Sequence, residues 1–135
     1  MSLFIAKVKA IQSVENLNIV KFECDGITLS MMSLELSEQV KVGTSVKLST
    51  KPTHVAIAKN ISGDLSYSNQ LHVEVLHVEN GELLTSLKLK FNGTIFESII
   101  TKDSSDRMAL HVGDKVIALI KANELSIKEI LDART

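Results

Sequence analysis

The chain has 135 residues, a formal net charge of −1 and a hydrophobic content of 44%. This charge argues against a dedicated nucleic-acid-binding protein, because such affinity depends on clustered lysine and arginine. The absence of a long apolar run and of a signal-peptide pattern, together with a single cysteine (Cys24), predicts a cytoplasmic protein with no membrane partner.

Short strands are predicted along most of the chain, because apolar and polar residues alternate with a period near two. In chain order the predicted strands are Phe4–Ile11, Leu17–Glu23, Leu71–Val78, Leu84–Phe91, Thr94–Thr101 and Lys115–Lys121. Turn dipeptides such as Asp25-Gly26 and Asn92-Gly93 separate them. Many short strands at close spacing indicate an all-β barrel or sandwich.

Two brief helical patterns interrupt the strands. One covers Leu34–Val40 and the other covers Ser104–Leu110. Asp103 or Ser104 is expected to cap the second helix, because both side chains can accept a hydrogen bond from a free backbone N–H.

An internal repeat is the most informative feature of the sequence. Three blocks recur in the same order and at nearly one spacing of 67 to 70 residues: Val20–Gly26 with Leu87–Gly93, Lys41–Val46 with His111–Val116, and Lys51–Ile57 with Lys121–Ile127. Such a repeat predicts two copies of one supersecondary unit. The polar stretch Ile61–Ser66 separates them, which predicts domains at residues 1–61 and 66–135.

The second repeat resembles the molybdate-binding Mop/TOBE domains of molbindins. An ordered set of motifs carries the resemblance: Ser66–Leu71, Ile100–Ser104, Leu110–Val116 and Leu119–Ala122. Residues 3–59 resemble a more divergent copy of the same domain. The resemblance implies two tandem five-stranded β-barrels of the oligonucleotide/oligosaccharide-binding type, each with one short helix.

The same resemblance implies an oxyanion ligand, molybdate or possibly tungstate, with no organic cofactor and no metal-ligating side chain. Hydroxyl, amide, ammonium and backbone N–H donors would converge on the anion oxygens. Residue by residue, the family site maps onto Ser66, Asn69, Thr101, Ser104, Lys121 and Ala122, the last through its backbone.

Two departures from the family pattern bear on affinity. Ser68 stands where the family has an arginine, which removes a charge-assisted contact of about 1.5–3 kcal/mol. The paired glycines are 17 positions apart in the first repeat (26 to 43), against 20 in the second (93 to 113). It keeps Lys51 as the counterpart of Lys121, so Lys51 marks a possible second, weak site.

The same residues could also have purely structural roles or be solvated surface residues. Lys121 and Lys51 could be solvated charges at strand ends, and Thr101 and Ser104 could serve a strand end and a helix cap. Asn69 could shape the loop that enters its strand. No nucleophile with a base and no phosphate-binding glycine loop is present, so the chain is not predicted to be an enzyme.

Three functions remain to be weighed. Binding of molybdate for storage or homeostasis is favoured, and a molybdate-sensing module that acts on a transporter or transcription regulator is the alternative. Binding of oligonucleotides fits less well, because only 4% of residues are aromatic. Two small repeats with much apolar surface also predict a homo-oligomer, a trimer in preference to a dimer, with anion sites at its interfaces.

Overall fold

The computed structural model describes residues 2–131, with side chains described from Phe4 onward. These residues form ten strands, one α-helix and two single-turn 3-10 helices. The strands are β1 (Ser2–Val14), β2 (Leu17–Cys24), β3 (Ile27–Ser33), β4 (Ser45–Thr50), β5 (Ala56–Ala58), β6 (Asn69–Asn80), β7 (Leu84–Phe91), β8 (Thr94–Thr101), β9 (Lys115–Ile120) and β10 (Ser126–Ile130). Helix α1 is Lys102–Met108, and the 3-10 turns are Pro52–His54 and Ala122–Glu124. None of the described helices is long and apolar enough to cross a membrane.

The strands form two curled five-stranded antiparallel sheets, which confirms the predicted all-β class. Sheet 1 has the order β10-β4-β1-β2-β3, and sheet 2 has the order β5-β9-β6-β7-β8. The six strands that the alternating pattern predicted are all present. Four further strands, β3, β4, β5 and β10, were not predicted.

Each sheet takes one strand from the other repeat. Ala56 of β5 pairs with Leu119 of β9, and Ile127 of β10 pairs with Leu48 of β4. The predicted division at residues 1–61 and 66–135 follows the sequence repeats, but the sheets cross it at these two strands. The exchange is symmetrical, because β5 and β10 occupy equivalent places after equivalent 3-10 turns.

One predicted helix is absent, so the expectation of a helix in each barrel is wrong for the first. Residues 34–44 between β3 and β4 contain turns and irregular backbone. Thr101 caps helix α1 in the second repeat, whereas its counterpart at the offset of 67 is Leu34, which has no side-chain acceptor with which to cap a helix. Ser33, just before it, accepts a hydrogen bond from the backbone of Glu35 and closes a tighter turn. The connection in the first repeat is also two residues shorter, residues 34–44 against residues 102–114.

A continuous apolar core joins the two sheets. Strand β2 buries alternate residues, Val20, Phe22 and Cys24, as a half-buried strand should. The rings of Phe4 from sheet 1 and Phe96 from sheet 2 meet edge to face with centroids 5.0 Å apart. Both rings are almost fully buried, so the two barrels share one hydrophobic interior.

Lys59 connects the first repeat to the helix of the second through hydrogen bonds. It follows β5, and its ammonium donates to the carbonyl oxygens of Met108 (3.0 Å) and Ala109 (2.9 Å) at the end of helix α1. It also donates to Asp114 Oδ2 at 3.1 Å. A cation at the C-terminus of a helix satisfies carbonyls that have no partner within the helix. The exchanged strand therefore also holds α1 in place.

The contact between Lys59 and Asp114 makes the free energy of unfolding depend on pH. The backbone N–H of His111, and then the Lys59 ammonium, hold the pKa of the Asp114 carboxyl below its ordinary value. We expect Asp114→Asn to be less stable than the wild type at neutral pH, as measured by urea unfolding. Because the folded-state pKa is lowered, the difference should shrink as pH falls below about 4, where the wild-type carboxylate takes up a proton.

The exposed Asp64, in the segment between the repeats, provides the control for this comparison. Asp64→Asn should change stability little at any pH. A stability difference for Asp114→Asn that stayed constant from pH 7 to pH 3 would contradict the proposed linkage.

Candidate functional site

Four of the predicted site residues lie at one end of sheet 2. Strand β6 begins at Asn69, and Asn69 pairs with Ile120, next to Lys121. Lys121 is exposed and precedes the 3-10 turn that starts with Ala122. Ser66 is exposed, three residues before β6. Lys121, with its exposed ammonium, is the only charged member of this group.

Asn69 forms a bridge between the two sheets. Its side chain is fully buried, and its Oδ1 accepts a hydrogen bond from the backbone N–H of Ser30 at 2.7 Å. Its Nδ2 donates to the backbone carbonyl of Ser30 at 3.0 Å. Ser30 lies on β3, the edge strand of sheet 1, so one amide satisfies a donor and an acceptor that the sheet leaves open. The structure thus gives Asn69 a structural role, and its predicted contact with an anion stays a prediction.

Thr101 and Ser104 form the capped start of helix α1. Thr101 Oγ1 accepts from the Ser104 backbone N–H at 3.1 Å and donates to Ser104 Oγ at 2.9 Å. Thr101 is the N-cap, so the predicted caps Asp103 and Ser104 were wrong, and the helix begins at Lys102. The two hydroxyls are close together and reach the surface, as an anion site would require.

Arg107 is a further polar residue at this cap that sequence reasoning missed. Its guanidinium donates to Ser104 Oγ at 2.9 Å and lies 4.0 Å from the carboxylate of Asp103. A spacing of three residues along a helix brings Ser104 and Arg107 to the same face, and this was the available signal. Arg107 therefore places a cation beside the two hydroxyls in a chain that lacks the family arginine at Ser68.

The two groups do not meet within one chain. Asn69 and Lys121 lie where β6 begins, whereas Thr101 pairs with Leu84, next to the point where β6 ends. The full length of β6 runs between these points. The predicted residues therefore make two half-sites, one with an exposed lysine and one with hydroxyls and an arginine.

The first repeat keeps only part of this arrangement. Ser2 pairs with Thr50 as Asn69 pairs with Ile120, so serine stands at the asparagine position. Lys51 is exposed before the turn Pro52–His54, as Lys121 is before its own turn. No helix follows β3, and the first repeat therefore has no counterpart of the hydroxyl half-site in the described residues.

Residues 2–131 offer neither a cluster of metal ligands nor a reactive thiol. Within that range no cluster of three or more histidine, cysteine or acidic residues could hold a metal ion. Burial, followed by the nearby charges of Asp25 and Glu23, raises the pKa of the Cys24 thiol to about 11. Because the thiolate is the reactive form, Cys24 is unreactive at neutral pH.

Comparisons with known proteins agree with this fold. Residues 65–127 match the TOBE domain family. The chain is similar to the structure of the cytoplasmic molybdate-binding protein ModG, with 25% identity and a TM-score of 0.89 over 96% of this chain and 95% of that chain. A molybdate-binding protein from Sporomusa ovata is 33% identical and covers 52% of this chain, with a TM-score of 0.46.

A transport protein is also among the relatives. The molybdenum import ATP-binding protein ModC of Brucella abortus (strain 2308) is 34% identical over 104 residues, which is 76% of this chain. The chain spans only 29% of that relative's length. The similarity therefore concerns one part of the transport protein.

The fold and these comparisons define a binding protein built from two five-stranded barrels, and not an enzyme. Residues 65–127 belong to the TOBE domain family, and the fold of the whole chain matches that of ModG. This confirms the resemblance that the motifs of the second repeat suggested.

The structural role of Asn69 can be measured directly. We expect Asn69→Ala to lower the free energy of unfolding by about 1–3 kcal/mol, because both backbone groups of Ser30 lose their partner. Asn16→Ala is the control, since Asn16 is exposed in the turn between β1 and β2 and lacks the left-handed backbone at which alanine is strained. Its cost should stay below about 0.5 kcal/mol. Equal costs for the two variants in urea unfolding would contradict the role of Asn69 as a bridge.

Proposed function

We propose that the protein binds molybdate, and also tungstate, as a cytoplasmic store or buffer of the oxyanion. The similarity to ModG over 96% of the chain carries this proposal, because it includes both repeats and the strands exchanged between them. The chemistry of the half-sites supports it, since hydroxyls and cations are suitable donors to a tetrahedral dianion.

The separation of the half-sites supports binding between subunits. One chain presents Lys121 at one end of sheet 2 and the hydroxyls of Thr101 and Ser104 at the other, so a second copy is needed to bring them together. Arg107 would then contribute a second cation and offset the loss of the family arginine. We propose a homo-oligomer, a trimer in preference to a dimer, with anions held at its interfaces.

Exposed apolar residues at equivalent positions fit such an assembly. Val42 and Val112 occupy the same turn in the two repeats and are 67% and 65% exposed. Leu83 and Leu84 are also exposed, and they lie beside the start of helix α1, where the backbone N–H of Lys102 donates to the Leu83 carbonyl. Burial of this apolar surface in an interface would stabilise the oligomer and enclose the hydroxyl half-site.

A molybdate-sensing module is the alternative function. The similarity to part of a molybdenum import ATP-binding protein favours it, because a domain of this kind also occurs within a transport protein. In that case the same sites would bind the anion and a partner protein would respond to it.

Calorimetric titration tests the ligand. The protein should bind molybdate and tungstate but give little heat with sulfate, because a pocket sized for the larger anions leaves sulfate short of its donors. Lys121→Ala should weaken molybdate binding by about tenfold to a hundredfold, and Lys51→Ala much less, because the first repeat lacks the hydroxyl half-site. Equal heats for all three anions would overturn the proposed ligand, and equal losses in the two variants would overturn the assignment of the main site.

Sedimentation velocity, with and without molybdate, tests the assembly. We expect a trimer whose dissociation is suppressed by the anion, since a ligand that binds only the assembled form stabilises it. Thr101→Val should then weaken molybdate binding while the oligomer persists at high protein concentration. A monomer that binds molybdate with full affinity would rule out sites between subunits.

A further inference from the structure

A large apolar groove lies along one side of the first barrel. It has a volume of about 1000 Å³, and its two walls are formed by residues within 31–40 of the first repeat and within 123–130 of the second. The first wall is the end of β3 and the connection after it, and the second wall includes the exchanged strand β10. An apolar groove of this size indicates a site for a ligand or a partner protein. Its apolar lining includes Met31, Met32, Leu34, Leu36, Ile127 and Ile130.

The second repeat shows what fills the equivalent space there. Helix α1 starts directly after β8, which is the counterpart of β3. The carbonyls at its other end are bound by Lys59, which directly follows β5, the counterpart of β10. The helix therefore spans the two elements whose counterparts form the walls of the groove. Because residues 34–44 form no helix, the first repeat leaves this space open, and a helix of about two turns fits it.

Two differences between the repeats make the open groove apolar. By strand register Ile130 takes the place of Lys59, because each directly follows a residue paired at an equivalent position of β4 or β9. Met31 takes the place of Ser98 at the offset of 67 residues. A cation that binds helix carbonyls and a hydroxyl are thus replaced by apolar side chains. Methionine adapts its shape to an apolar partner, so the groove suits a helix with an apolar face and not a polar helix such as α1.

The charges on the rim of the groove describe the partner further. Glu35 on one wall and Lys128 on the other are exposed. Neither forms an ion pair with another described residue, whereas the neighbouring Glu129 is paired with Lys47 at 3.6 Å. One unpaired charge of each sign therefore faces the groove from opposite walls. Charges at a rim select the partner and its orientation more than they add affinity.

We propose that this groove binds an amphipathic helix of a partner protein. The apolar side chains of that helix, three and four residues apart, would face the groove, with a basic residue opposite Glu35 and an acidic residue opposite Lys128. A second copy of this chain offers no such helix from its described residues, because α1 is the only α-helix within residues 2–131 and its residues 102–107 are all charged or hydroxyl-bearing. The inference goes beyond molybdate binding and does not depend on it.

A designed peptide serves as the probe. It is a fluorescein-labelled helix of about 14 residues with leucines on one face, one lysine and one glutamate beside that face, and alanine elsewhere. The control peptide has the same composition, with the leucines spread around the helix. In fluorescence anisotropy the intact protein should bind the amphipathic peptide at least tenfold more tightly than the control peptide.

A pair of lysine variants locates the peptide. Met32→Lys places a charge in the groove and should weaken peptide binding at least tenfold. Ile95→Lys is the matched control, because Ile95 is also an exposed apolar residue on an edge strand, β8, but lies outside the groove. It should bind the peptide as the wild type does. Both side chains are already exposed to solvent, so both variants should keep a Tm close to that of the wild type.

A charge reversal tests the complementarity of the rim. Glu35→Lys should weaken binding of the amphipathic peptide about threefold to tenfold. A peptide whose lysine is replaced by glutamate should bind this variant as tightly as the original peptide binds the wild type. Failure of this rescue would contradict the role of Glu35.

Several outcomes would overturn the proposal. Equal binding of the two peptides, or equal affinity of Met32→Lys and Ile95→Lys, would show that the groove does not hold a helix. Loss of self-association in Met32→Lys alone would assign the groove to a second copy of the chain. Peptide binding that becomes at least tenfold tighter after deletion of residues 132–135 would assign it to that segment. None of these results bears on molybdate binding, which its own titration decides.

Discussion

The exchange of β5 and β10 between the two sheets is the constraint on which the rest of the structure depends. Backbone hydrogen bonds of β5 complete sheet 2, and those of β10 complete sheet 1, so neither sheet has five strands without the other repeat. The side-chain contacts between the repeats follow from this pairing. Lys59 reaches helix α1 because it directly follows β5, and Asn69 reaches Ser30 because the start of β6 lies beside β3, the edge strand of sheet 1.

The strand exchange also determines where the lysine of each repeat lies. Each exchanged strand is preceded by a 3-10 turn that carries the lysine of its repeat, Lys51 or Lys121, so both lysines lie near the boundary between the barrels. The hydroxyl half-site at Thr101 lies at the opposite end of β6 from Lys121. A symmetrical scaffold thus carries two unlike repeats, and the difference lies mainly in one connection, residues 34–44 against 102–114.

Sequence reasoning predicted the parts of the fold that depend on local pattern. Strands such as Leu84–Phe91 and Thr94–Thr101 were predicted at their observed bounds, because alternation and turn dipeptides mark both ends. Strand β5 has three residues, too few for a period to show. The exchange left no mark in the sequence, since pairing within a repeat and pairing between repeats would bury the same side chains.

Local sequence patterns were also limited in what they could predict about the candidate site. The motifs predicted Thr101, Ser104 and Lys121 as site residues, but a motif gives the order of residues and not their distance in space. The separation along β6 became visible only from strand register. The bridge of Asn69 to Ser30 spans 39 residues, and no local pattern encodes a contact of that range. The helical pattern at Leu34–Val40 had apolar residues at suitable spacing, but at its start Ser33 accepts a hydrogen bond from Glu35 and closes a tight turn in place of a helical one.

The central claim is that strand exchange makes the two repeats one cooperative unit, and differential scanning calorimetry tests it most directly. We expect a single transition, with a calorimetric enthalpy of roughly 90 kcal/mol for 135 residues that equals the van't Hoff enthalpy. Two separable transitions, or a van't Hoff enthalpy near half the calorimetric value, would show that the repeats unfold independently and would contradict the account.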